Sequence, residues 1–354
     1  MKFLKVLAYP LSLLYGCIML VRNKMFDWHL LPSKSYNLPV ICVGNLSVGG
    51  TGKTPHTEYI IKLLMNNFKV GVLSRGYKRK TKGFFLAESA SLVTDVGDEV
   101  LQMAHKFDNI KIAVCESRRK GIEILLRNFP DLDVIILDDA FQHRYVKPGL
   151  SIILSDYSNL YTNDFVLPTG NLREFISGAH RAHIICVTKS PKVLSPIVSK
   201  DIEAKLSLQP HQKLYFTYIK HGNFIPLYTD NGSEMPPKVY VILLFAGIAN
   251  TYPLEEHLKT KCDDLRVIKF NDHYQYKEED ALALLQKFKD LYSVNKIMVT
   301  TEKDAKRLEN SVFKNIFRNI PLFYIPIEIE FHNKYKTDFD NQILNYVRKN
   351  KTNR

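Results

Sequence analysis

Val40-Ile-Cys-Val-Gly-Asn-Leu-Ser-Val-Gly-Gly-Thr-Gly-Lys-Thr54 opens as an unbroken apolar run, passes through closely spaced glycines and closes on Gly-Lys-Thr. An apolar run without polar alternation reads as a strand buried on both faces, the habit of a parallel sheet. Gly49, Gly50 and Gly52 free the backbone to turn successive N–H groups onto phosphate oxygens. Lys53 can reach the β/γ-phosphates, and the Thr54 hydroxyl can ligate Mg²⁺. Strand, loop and helix follow in the order a P-loop requires, which an incidental glycine-rich turn does not explain. Ser47 departs from the G-x-x-x-x-G-K-[ST] pattern, standing where the first glycine belongs. The candidate nucleotide contacts are Asn45, Ser47, Gly49, Gly50, Thr51, Gly52, Lys53 and Thr54.

Outward from this segment, short apolar runs recur at 70–73, 112–114, 134–137, 152–154 and 184–187, with helix-compatible stretches between several of them. Alternating β and α elements predict an α/β fold: a mostly parallel, P-loop NTPase-like sheet with helices on both faces. Tyr/Phe/Thr-rich segments near 213–229 flank Lys220-His-Gly-Asn223 and predict a β-hairpin linker. Beyond it, strands at 239–245, 265–270, 296–300 and 322–325 alternate with helices at 253–260, 277–292 and 302–309. The expected organisation is an N-terminal helix over 1–30, a P-loop domain over 31–212, the linker, and a second, smaller α/β domain over 230–354. The C-terminal segment is free to pack back on the first domain, and the basic tail 348–354 is expected to fray.

Asp133-Val-Ile-Ile-Leu-Asp-Asp139 is an apolar strand ending in two carboxylates, the Walker B arrangement. Asp138 and Asp139 there can hold Mg²⁺ or its waters beside Thr54. Either aspartate alone reads equally as a cap or turn residue, and only the P-loop upstream favours the metal. Ala140-Phe-Gln-His-Arg144 continues at the carboxyl end of the strand, where open α/β sheets bind ligands.

The composition is that of a folded chain: 45% hydrophobic and 24% charged over 354 residues. Forty-nine Lys+Arg against 36 Asp+Glu give a formal charge of +13, which favours anionic partners without choosing among nucleic acid, lipid headgroups and phosphorylated substrates. Five scattered cysteines without a C-x-x-C pair indicate neither disulfides nor zinc. Val6–Val21 is free of charge and flanked by Lys2, Lys5, Arg22 and Lys24. Sixteen residues interrupted by Pro10 and Gly16 are short for a span, so an interfacial helix is expected. A buried helix is the bland alternative.

The segments Gly44–Pro55, Leu73–Tyr77, Val96–Glu99, Asp138–Arg144, Leu167–Glu174, Phe270–Tyr276 and Thr301–Asp304 run in order. Together they make the sequence similar to the tetraacyldisaccharide 4′-kinases, the lipid A 4′-kinases of Gram-negative bacteria. The family patterns are GN-L-[ST]-x-GG-x-GKTP, LSRGY, VGDE, DDGFQHR, LP-x-G-x-LRE, FxDHxxY and T-x-KD. Ala140 replaces a glycine, which puts the backbone freedom near the metal in question, and Val100 replaces a proline. The resemblance implies transfer of the γ-phosphoryl of ATP, with Mg²⁺, to the 4′-hydroxyl of a tetraacylated glucosamine disaccharide 1-phosphate. It implies Asp98 as base, His273 as its partner and Lys53 as the third catalytic group, with Arg75, Gln142, His143 and Arg173 toward the substrate. The implied partners are the acylated disaccharide phosphate lipid and the cytoplasmic face of the inner membrane, with no nucleic acid and no obligate protein partner. Read without it, Asp98 is a helix-start residue and His273 a loop histidine. Lys78, Arg79, Lys80 and Lys82 form a basic run suited to lipid phosphate or to solvent, and Arg118 and Arg119 are comparable.

Two rival readings stand beside this one. A P-loop NTPase switch at a membrane would read guanine through N-K-x-D, but Thr188-Lys-Ser190 lacks the aspartate and Thr301–Asp304 has the wrong spacing. A nucleic-acid-binding ATPase is suggested by charge alone, without an RNP-type aromatic segment or zinc-finger spacing.

Overall fold

The computed structural model describes residues 2–228, 235–272 and 274–351. The chain forms two compact units, Met1–Ile219 with Ile329–Arg354, and Lys220–Glu328. The first unit contributes α1 (Lys2–Asp27), β1 (Val40–Asn45), α2 (Lys53–Leu64), β2 (Val70–Ser74), β3 (Phe85–Ala87), α3 (Val93–Val96), α4 (Asp98–Lys106), β4 (Lys111–Val114) and α5 (Arg118–Asn128). It continues through β5 (Val134–Asp138), β6 (Leu150–Asp156), β7 (Ile184–Thr188), α6 (Pro196–Leu206) and β8 (Lys213–His221). The second unit holds β9 (Ile225–Pro226), β10 (Val241–Ala246), α7 (Tyr252–Lys259), β11 (Asp264–Lys269), α8 (Glu278–Lys289), β12 (Lys296–Thr301), α9 (Glu302–Arg307), α10 (Ser311–Ile316) and β13 (Leu322–Ile325). The chain then returns through β14 (Ile327–Phe331) to α11 (Asn333–Lys351).

Nine strands order as β14-β8-β7-β6-β1-β5-β2-β4-β3, with β1 parallel to both β5 and β6 and β3 antiparallel on the edge. Successive residues of a strand point to opposite faces, and both faces of β1 are covered. Ile41 and Val43 pack with α2, α4 and α11, while Val40 and Cys42 pack with α5 and α6. Continuous apolar strands are the consequence, since neither face meets water. The second unit has its own five-stranded sheet, β11-β10-β12-β13-β9, with separate cores on its two faces.

Two expectations change. Among the described residues of 213–229 there is no hairpin: β8 lies parallel to β7 in the first sheet, and β9 pairs antiparallel with β13 in the second. The two Tyr/Phe/Thr-rich segments join different sheets, β8 as an interior strand between β14 and β7 and β9 as the edge strand beside β13. The C-terminal tail continues as helix through Lys351, because Phe339, Ile343 and Val347 form a buried i, i+4, i+8 stripe. Residues 329–354 accordingly belong to the first unit.

α1 is continuous through Pro10. Its contacts with the rest of its unit follow a helical period through Ser12, Tyr15, Gly16, Asn23 and Phe26. Ser12 bonds Thr169 at 2.7 Å, Tyr15 bonds the Arg173 carbonyl at 3.1 Å and Asn23 bonds Glu174 at 2.7 Å. The opposite face leaves Leu11, Leu14, Ile18 and Val21 each more than half exposed. A buried helix is therefore excluded for this segment: its docking edge is a narrow line of Ser12, Gly16 and Asn23 with the rings of Tyr15 and Phe26, and Leu11, Leu14, Ile18 and Val21 point outward. Among the described residues no helix is long and apolar enough to cross a membrane.

Candidate active site

The glycine-rich loop sits at the carboxyl end of β1, near the point where strand order reverses between β5 and β6. Gly52 precedes α2 with φ 87°, a left-handed conformation that glycine adopts without steric cost. Ser47 is tolerated because it does not turn. It bridges Leu172 in extended pairing, with Val48 N–H bonded to Asn171 O at 2.8 Å and Arg173 N–H to Leu46 O at 2.7 Å. That pairing also delivers Arg173 to the loop. Asn45 is fully buried and fastens the loop from within, donating to Thr51 Oγ1 at 2.9 Å. His56 lies against Gly52 O through Nδ1 and against Thr217 Oγ1 through Nε2. Burial outweighs the Gly52 hydrogen bond and lowers its pKa to about 4, so the ring is neutral: Nδ1 donates and Nε2 accepts.

Beside the loop is a cavity of about 290 Å³, whose wall includes Ser74, Arg75, Asp98, Glu99, Asp138, Asp139, Gln142, His143 and Arg173, with Tyr15 and Met19 of α1. The sequence-predicted residues Asp98, Asp138, Asp139, Arg75, Gln142, His143 and Arg173 thus meet in one place. Asp138 is fully enclosed, accepting from Thr57 Oγ1 at 3.2 Å and Ser74 Oγ at 3.0 Å. Burial, with the charges of Glu99 and Asp139, pushes its carboxyl up to about 6. For Asp139 burial acts in the same direction, yet Lys53 and Arg173 outweigh it and hold the carboxyl below its ordinary value. Arg173 grips it at 2.9 and 3.3 Å, and Lys53 Nζ stands 3.8 Å away. Asp139 has φ 47°; it is Asp139, not Ala140, that takes the left-handed position of this turn, so alanine for glycine at 140 leaves the backbone intact. Burial, with the charges of Arg118 and Arg75, lowers the His143 pKa to about 4.

Asp98 starts α4 directly after Gly97, whose φ of 90° and whose approach to Tyr77 O leave no room for a side chain: a Cβ would fall 2.9 Å from that carbonyl. Gln142 donates to Asn45 O and to Glu174, so in this structure it braces the site. His273 lies outside the described residues.

The model of the tetraacyldisaccharide-1-P 4′-kinase family matches residues 4–348. The chain belongs to this family. A tetraacyldisaccharide 4′-kinase of Bacteroides thetaiotaomicron is 46% identical over 98% of this chain and 94% of its own length. That of Flavobacterium johnsoniae is 44% identical over 99% of both. Among solved structures, LpxK from Aquifex aeolicus in complex with ATP is similar at TM-score 0.71 and 26% identity, over 97% of this chain and 99% of that one. The chain is accordingly a phosphotransferase of lipid A biosynthesis, and the switch and nucleic-acid readings are not favoured.

Within this member of the 4′-kinase family, several contributors escape the motif reading. Arg118 is buried and donates to the carbonyls of Cys115, Asp138 and Asp139, shaping the turn that carries both carboxylates. Glu174 is 1% exposed and gathers Asn23, Gln142 and Arg181. Arg79, part of the basic run suited to lipid phosphate or to solvent, is instead 3% exposed in its side chain and holds Glu116 and Gly83 O. A helix-start position for Arg118 and the LRE pattern for Glu174 were the only sequence signals.

Proposed function

We propose that the 4′-hydroxyl of the tetraacyldisaccharide 1-phosphate attacks the γ-phosphorus of ATP in the cavity beside the P-loop, with Asp98 accepting the hydroxyl proton. The new O–P bond forms as the bond to the β-phosphate oxygen breaks, and ADP leaves with that electron pair. The observation that carries the reading is the convergence of Asp98, Asp138 and Asp139 on one cavity, with Lys53 Nζ of the P-loop 3.8 Å from Asp139. Lys53 would neutralise charge on the transferring group, and the N–H groups opening α2 would hold the phosphates. His273 would orient and tune Asp98. Arg75, His143 and Arg173 are the proposed substrate contacts; Arg173 would exchange Asp139 for phosphate oxygen, charge for charge.

Thr54, Asp138 and Asp139 offer hard oxygen donors at the phosphate end of the loop, and Asp138 carries excess negative surroundings that a cation would relieve. These donors fit Mg²⁺, which takes one or two carboxylates and completes its shell with phosphates and water. When bound it would neutralise the β- and γ-phosphate oxygens. The exposed apolar face of α1 supports attachment to a bilayer, the cytoplasmic face of the inner membrane being where ATP and this lipid meet.

The test incubates purified protein with radiolabelled ATP and tetraacyldisaccharide 1-phosphate, then separates the lipids. Label in a bisphosphorylated product supports the reading; ATP hydrolysis leaving the lipid unlabelled would refute it.

A further inference from the structure

Thr188 and Lys189 end β7, on the opposite flank of β1 from the cavity. β6 and β7 lie to one side of β1, β5 and β2 to the other, and apart from Tyr15, Met19 and Arg173 the cavity wall comes from residues 74–100 and 138–143, at and beyond the ends of β2 and β5. A triphosphate held in the loop with its terminal phosphate toward Asp98 must run its nucleoside toward the ends of β6 and β7.

Two consecutive residues there grip two consecutive carbonyls of the loop. Thr188, 1% exposed, donates its hydroxyl to Thr51 O at 2.9 Å. Lys189 donates Nζ to Gly50 O and pairs with Asp156, at the end of β6, at 2.7 Å. Lys189 holds φ 57°, a conformation that non-glycine residues keep only where surrounding contacts enforce it. Because a trans peptide sets each carbonyl opposite the following N–H, capturing Gly50 O and Thr51 O on the outer side of the loop turns the N–H groups of Thr51 and Gly52 away from β7, toward the phosphate side. The Thr51 N–H meets Gly49 O at 3.1 Å, a local contact that a phosphate oxygen would replace. The ammonium of Lys189 is thus committed to the main chain and Asp156, and its four-carbon stem is what the side chain still offers to a nucleotide.

We propose that Lys189 is a nucleotide-positioning residue. Its ammonium, anchored by Asp156, clamps the outer side of the P-loop with Thr188, and its alkyl stem is the platform for the nucleoside of ATP. This rests on the kinase reading above and gives the segment that lacks a guanine-reading aspartate a different role, support of the nucleoside from below.

The experiment compares the full chain with Lys189→Met, Lys189→Ala and Asp156→Asn, using steady-state kinetics with the tetraacylated lipid and calorimetric binding of ATP and of inorganic tripolyphosphate. Loss of the clamp in Lys189→Met and Asp156→Asn is expected to raise KM for ATP about tenfold, the scale of one charge-assisted hydrogen bond, with kcat and KM for the lipid changed far less. Lys189→Ala, which also removes the stem, is expected to bind ATP more weakly than Lys189→Met while the two bind tripolyphosphate equally. A KM for ATP within about twofold of the parent in both Lys189→Met and Asp156→Asn would overturn the clamp. Equal ATP affinity in the Met and Ala variants would overturn the platform. Absence of ATP binding by the unaltered protein would instead remove the kinase reading and this one with it.

Discussion

Burial pushes the Asp138 carboxyl up to about 6, with Glu99 and Asp139 adding to the effect. The folded chain therefore binds that proton more tightly than the unfolded chain, whose aspartates titrate near 3.9. The resulting stabilisation is full below the unfolded pKa and is lost as pH rises through about 6. Asp138→Asn is neutral at every pH and keeps it, so at pH near 8 this variant is expected to be more stable than the parent by about 1–3 kcal/mol. Thermal melts should show the gap closing toward pH near 4.5 while phosphoryl transfer is lost; a gap independent of pH would refute the assignment. Asp98→Ala should lower kcat by about 10²–10⁴ while leaving ATP affinity nearly intact. The double variant with His273→Ala should be little worse than either single, since groups acting as a unit are non-additive; fully multiplicative losses in kcat would argue against the pair. Lys53, Thr54 and the two aspartates were legible because loop spacing and an apolar strand dictate their place. Arg118 and Lys189 were not, because each acts on carbonyls distant in sequence: Lys189 reaches a residue 139 positions away.

At the scale of elements, the strands of the first sheet are readable because burial on both faces leaves only apolar side chains, whereas 213–229 misleads. Its residues suit any half-buried strand, and which sheet they join is decided by tertiary pairing alone. The α11 stripe was present in the sequence, but the basic residues Arg348, Lys349 and Lys351 that follow it disguised it. Gly97 shows how an element boundary places a proposed catalytic group: its φ of 90° and its approach to Tyr77 O set the first turn of α4, and with it Asp98. Gly97→Ala should destabilise the fold by roughly 1–3 kcal/mol, through strained backbone and the close carbonyl. Activity should fall further than the fraction unfolded, because Asp98 is displaced; chemical denaturation run beside turnover separates the two, and a parent-like midpoint with parent-like turnover would show the conformation to be dispensable.

For the molecule as a whole, the proposed attachment to a bilayer rests on α1, since the same helix contributes Tyr15 and Met19 to the cavity wall and turns Leu11, Leu14, Ile18 and Val21 outward. A substrate with four acyl chains is costly to extract from a bilayer. A helix whose apolar face lies in the headgroup region would bring the cavity to the sugar instead. Removing α1 altogether would also open the cavity, so the discriminating variant keeps the helix and changes only its outer face. Leu14→Glu with Ile18→Glu alters two side chains that are 60% and 58% exposed and touches none of the docking bonds of Ser12, Tyr15 or Asn23. Melting temperature and calorimetric ATP affinity should therefore stay at the parent values, while flotation with anionic liposomes is lost. Salt at about 1 M should leave the parent bound, because screening weakens the attraction of the +13 chain for anionic lipid but not the burial of apolar side chains. Equal flotation of variant and parent would place the lipid-binding surface elsewhere.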